Sequence, residues 1–173
     1  MRCSGTLADV LSKTDFLVGV RITDGPPKSD NLRPLMTSSA EGFSSSRGDQ
    51  PLSILFRTHK GPLASGDIST DGNVLVALKK LDGVQIFAHD ARLIRCNVDE
   101  LVSSESPVNV NLQTASDRED VTVIALKSTT LKVLAKKVPL EVTIDGKQVQ
   151  TRISGRFIVL NIDDGEHSAS VRY

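Results

Sequence analysis

The stretch Pro139-Leu140-Glu141-Val142-Thr143-Ile144-Asp145-Gly146-Lys147-Gln148-Val149 decides the fold class of this chain. Leu140, Val142 and Ile144 alternate with Glu141 and Thr143, so an extended segment here has one apolar and one polar side. Asp145-Gly146 then interrupts the run, because glycine accepts the positive φ that a tight hairpin turn requires. A second apolar run follows at Phe157-Ile158-Val159-Leu160, ahead of Asp164-Gly165 and a closing segment from His167 to Tyr173. Val138 to Tyr173 therefore reads as two hairpin-like strand pairs in a row, and the class as antiparallel β.

Upstream, the same punctuation recurs. Strands are expected at Leu52 to Arg57, Asn73 to Leu81, Gly83 to His89, Arg92 to Val98, Val108 to Gln113, Val121 to Leu126 and Thr130 to Ala135. Breakers separate nearly all of them, including Lys60-Gly61-Pro62, Asp71-Gly72, Asp82-Gly83 and Ser103 to Pro107. Short strands at this spacing indicate a sandwich or barrel, and no helix-length period appears after residue 50. The expected fold is all-β, a two-layer antiparallel β-sandwich.

The first 50 residues have a different texture. Leu7, Val10 and Leu11 suggest a short helix, and Phe16 to Ile22 a short strand. Thr23 to Gln50 is rich in Pro, Ser and Gly, and its few apolar residues show no sustained period. Long segments of this kind are functional excursions or linkers. The chain is expected to divide into an N-terminal extension with a flexible linker, residues 1–50, and a β-sandwich module, residues 51–173.

Composition excludes several functions. Twenty-one basic residues balance twenty-one acidic ones, which argues against a nucleic-acid binder with its basic stripe. Trp is absent, Tyr173 is the only tyrosine, and Phe16, Phe56, Phe87 and Phe157 lie in apolar runs, so almost no aromatic ring is spare to stack sugars or bases. Cys3 and Cys96 make neither a disulfide framework nor a metal site. The longest early apolar run, Phe16 to Val20, falls far short of the ~20 residues of a membrane span. No signal-peptide pattern is visible at Met1 to Val10.

The candidate site residues lie on predicted turns: His59, Lys60, Asp67, Asp71 and His89. Loops carry function from a rigid scaffold, and these five fall at related edges of the expected sheets. Gly66-Asp67-Ile68-Ser69-Thr70-Asp71-Gly72 places oxygen side chains as a calcium loop does, but the twelfth position of such a loop falls on Leu78 rather than an acid. A turn between strands is the favoured reading there, with a loop-type calcium site as the alternative and no other cofactor expected. His59, His89 and His167 have no second ligand at metal spacing. Neither a nucleophile elbow nor a phosphate loop occurs.

The closing pattern, with Gly155-Arg156-Phe157-Ile158-Val159-Leu160 and Asp164-Gly165-Glu166-His167-Ser168-Ala169-Ser170-Val171, resembles the terminal β-sandwich of many carbohydrate-active enzymes. Ile54-Leu55-Phe56-Arg57-Thr58-His59-Lys60-Gly61-Pro62 with Gly66-Asp67 is similar to the entry into the β-rich C-terminal part of heparinase II/III-like polysaccharide lyases. The resemblance covers residues 52–173. It implies a module without catalytic residues of its own, buttressing a helical catalytic domain and bordering a polysaccharide. A secreted parent would place it outside the cytoplasm. Two other readings remain open: an adhesion or assembly module binding a protein partner through Thr23–Gln50, and a small polysaccharide-degrading enzyme.

Overall fold

The computed structural model describes residues 32–36, 40–47, 50–58 and 60–173. The helix and strand expected within residues 7–22 lie outside them, as do Cys3 and His59. The described residues are all-β, and every strand pairing among them is antiparallel.

The continuous ladder folds over itself into two layers, and the long hairpin β7 (Gly83–Cys96) and β8 (Asp99–Thr114) belongs to both. The larger layer begins with β1 (Leu32–Met36), β2 (Ala40–Arg47), β3 (Gln50–Arg57) and β6 (Val74–Lys80). It continues through the first half of β7, the second half of β8, β9 (Arg118–Ala125), β15 (Gly165–Arg172), β11 (Glu141–Ile144) and β12 (Lys147–Gln148). The smaller layer runs from β4 (Leu63–Ser65) and β5 (Ile68–Thr70) through the other halves of β7 and β8. It ends with β10 (Thr129–Leu134), β14 (Phe157–Ile162) and β13 (Arg152–Ser154).

The corner between the layers is chemical as well as geometric. Register slips between Ala88/Ala91 and Ala91/Leu93 leave residues 104–107 of β8 bulging past β7. Asp90 takes a positive φ of 54° there, and its amide N–H donates to Asn109 Oδ1 at 3.0 Å. Thr129 Oγ1 accepts from the Ser106 N–H at 3.2 Å, so the turned backbone is satisfied from β10. The Ser103–Pro107 breaker expected from sequence is thus a bend within one strand, and the two strands expected across residues 83–98 are one.

A single apolar cluster joins the layers. Leu55, Leu75, Ile86, Val110, Leu112, Val121 and Val171 of the larger sheet meet Leu63, Ile94, Val102, Leu131, Ile158 and Leu160 of the smaller. Alternation puts them there: in β9 residues 119, 121, 123 and 125 are buried while the residues between them are not.

The terminal stretch differs from expectation in one respect. The turn at Asp145–Gly146, both at positive φ, joins a true hairpin of β11 and β12. β14 and β15, however, do not pair. β14 lies between β10 and β13, whereas β15 lies between β9 and β11. Asp164–Gly165 is therefore a crossing from one layer to the other. The hairpin turn before β14 is at Gly155, with φ of 61°.

The segment Thr23–Gln50 is corrected in part. Leu32–Met36 and Ala40–Arg47 are paired strands, and the ladder passes without a break at residue 51 into β3. Serine-rich β2 has no hydrophobic period, so its pairing with β3 holds it extended. A Cβ on Gly42 would stand 1.9 Å from the Ile54 carbonyl oxygen, which is why that close approach takes glycine.

Candidate functional site

A cleft of about 350 Å³ opens beside the smaller sheet, lined by Arg57, Gly61, Pro62, Ser69, Thr70, Asp71, Leu93 and Arg95. Three elements build it: the end of β3, the β4–β5 hairpin and the second half of β7. Thr70 anchors its floor. The Thr70 hydroxyl donates to the Leu93 carbonyl at 2.7 Å and accepts the Gly72 N–H at 3.1 Å. Asp71 Oδ1 accepts the amide N–H groups of Arg92 and Leu93 at 2.9 and 2.8 Å, closing the turn onto β7.

Arg57 reaches across the same turn. Its Nε donates to the Gly72 carbonyl at 3.1 Å, and its Nη2 to the carbonyls of Gly72, at 2.7 Å, and Asp71. The Asp71 and Gly72 carbonyls are therefore taken by the guanidinium, and the Asn73 carbonyl, the main-chain position of a calcium loop starting at Asp67, accepts the Arg57 N–H at 2.9 Å. Among the described residues, no group of three or more His, Cys, Asp or Glu could hold a metal ion.

The residues singled out from sequence separate. Asp71 lines the cleft, and exposed Lys60 precedes its lining residues Gly61 and Pro62. Asp67 sits on the β4–β5 turn, where its carbonyl accepts the Asn97 N–H at 2.6 Å. Its carboxylate, with that of Asp99, adds to burial in pushing the Cys96 thiol up. His89 stands on the larger sheet opposite Val74, its Nδ1 buried without a hydrogen-bond partner. His59 lies outside the described residues. Arg57 and Arg95 were not singled out, because each looks like an ordinary polar residue of a strand and only the fold brings them together.

Two further clusters arise only in three dimensions. Tyr173 OH donates to Glu119 Oε2 at 2.5 Å, and the Lys136 ammonium stands 3.7 Å from Glu119 Oε1 and donates to the Ala115 carbonyl. Glu119 is 5% exposed. Burial pushes its carboxyl up, against the opposing pull of Tyr173 and Lys136. Burial and the Glu119 bond likewise push the Tyr173 phenol far up. Since Lys136 follows β10 and the other two belong to the opposite sheet, this cluster fastens the seam between layers.

The second cluster is at the surface. His167 Nδ1 lies 2.8 Å from Asp145 Oδ2, while Asp145 Oδ1 accepts the Ser168 N–H at 2.9 Å. The Ser168 and His167 bonds hold the Asp145 carboxyl down, and the Asp145 bond holds the imidazole up. His167 Nε2 faces the Asp164 carbonyl at 3.4 Å.

No helix among the described residues is long and apolar enough to cross a membrane. No protein-family model matches the chain, and no curated protein matches it.

Proposed function

We propose that this chain is a non-catalytic β-sandwich module that packs against and supports a carbohydrate-active catalytic domain, in the manner of the C-terminal domains of polysaccharide lyases. One observation carries the reading. Leu81, Val138 and Leu140 are 85%, 79% and 81% exposed, and each stands at or within two residues of a position tied to residues 114–115 or 172. Gly83, just beyond Leu81, abuts the Thr114 carbonyl. Lys136, just before Val138, bonds the Ala115 carbonyl, and the Leu140 N–H donates to Arg172, whose neighbour Tyr173 donates to Asp117. Large apolar side chains outside the core at these positions are what a docking surface requires.

Two proton-transfer groups among the described residues support the same reading. His167 is oriented by Asp145, with its other nitrogen turned to a carbonyl, and Tyr173 is spent on Glu119. A general base needs a nitrogen or oxygen free to meet substrate. The test is an unsaturated-product absorbance assay on this chain alone against acidic polysaccharides, where no signal is expected. Product formation would overturn the proposal. Equally, a reading frame continuing upstream into a helical, Tyr- and His-bearing region would support it.

A further inference from the structure

We propose that the cleft between Arg57 and Arg95 binds a small oxyanion: one carboxylate, sulfate or phosphate group of a polar ligand. The inference stands on the cleft alone and does not depend on the supporting role above.

Arg57 is preorganised. Two of its nitrogens are held by the carbonyls of Asp71 and Gly72, which leaves Nη1 as a fixed donor with no partner among the described residues. Arg95 lines the same cleft from β7, directly across the ladder from Ser69. Among the described residues its guanidinium makes no hydrogen bond or ion pair. The one carboxylate in the lining, Asp71, gives Oδ1 to two backbone N–H groups. Two cations therefore face one cleft against a single carboxylate that is half committed elsewhere. Like charges sharing a cleft repel, and an anion between them removes that repulsion while accepting charge-assisted hydrogen bonds.

A cation is a poor fit, because Arg57 already occupies the main-chain oxygens. The Ser69 hydroxyl adds a polar partner without charge. At about 350 Å³ the cleft falls at the small end of ligand sites, which span about 300–1,000 Å³.

The experiment is titration of the full chain with sodium glucuronate, inorganic sulfate or inorganic phosphate at matched low ionic strength. It is read by calorimetry and by the arginine Nε–H resonances. At least one anion is expected to bind with a 1:1 end point and to shift the resonances of Arg57 and Arg95. Arg95→Ala, which removes an exposed side chain with no partner among the described residues, should weaken binding about tenfold or more. Arg57→Lys should weaken it as well, since lysine lacks the fork, and Lys147→Ala, an exposed cation on β12, should leave it unchanged. Tighter glucuronate binding identifies a carboxylated ligand and tighter phosphate binding a phosphorylated one, and either supports the site. Silence of both arginine resonances with all three anions overturns it. So does equal weakening by Arg95→Ala and Lys147→Ala, which would mean diffuse screening.

Discussion

Two carboxylates in this protein are perturbed in opposite directions, and environment decides the sign. Asp145 is exposed and accepts hydrogen bonds from Ser168 and His167, so its charged form is favoured. Glu119 is buried, and desolvation outweighs its hydrogen bonds from Tyr173 and Lys136. The consequences for stability differ. Glu119, raised in the folded state, contributes stability that is full below its unfolded pKa and is lost as pH rises through the folded value. Urea melts across weakly acidic to neutral pH should therefore show a component falling with pH in the native chain and missing in Glu119→Gln. His167, also raised, contributes below the ordinary imidazole value and loses that contribution as pH rises through its folded one. In an NMR titration His167 should titrate above the ordinary value and return toward it in Asp145→Asn. An unchanged midpoint in that variant would show that the contact does not set the pKa. None of this was legible in the sequence, where Glu119 and Tyr173 are 54 residues apart.

At the scale of the strand and turn, two glycines illustrate different constraints. Gly146 occupies a hairpin turn at φ +74° with nothing within 4 Å of a hypothetical Cβ, so only backbone strain opposes substitution. Gly83 opens β7, where a Cβ would stand 1.8 Å from the Thr114 carbonyl oxygen. Gly146→Ala should cost about 1 kcal/mol, and Gly83→Ala clearly more, because the β7–β8 pairing itself must shift. Chemical denaturation of both variants checks the order. The Asp145–Gly146 turn could be read in advance since its requirement is local. The partner of β14 could not, because Asp164–Gly165 looks like another hairpin turn although the chain crosses there to the other sheet.

Across the whole molecule, the β7–β8 hairpin makes the two sheets one cooperative unit. Each sheet borrows half of both strands, so neither can lose its pairing without exposing the shared core. Unfolding should be a single transition, coincident by far-ultraviolet circular dichroism and by the His167 resonance. Separate transitions for the two layers would contradict that coupling. Leu131, fully buried at the centre of the smaller layer, should cost about 2–5 kcal/mol when cut to Ala. Exposed Leu126→Ala should be nearly neutral.

Alternation and turn chemistry act within a few residues, so the sequence alone determined the antiparallel class, most strand positions after residue 50 and the burial of one face of each. Alternation marked residues 108–113, and a more continuous apolar run residues 121–126, as core strands without any knowledge of their partners. Tertiary structure alone decided the strand order, the fold-over at Pro107, the strands within residues 32–47 and the placing of Arg57 and Arg95 on one cleft. Those depend on pairings between distant segments, whose free energy comes from a core that exists only once both layers have closed upon it.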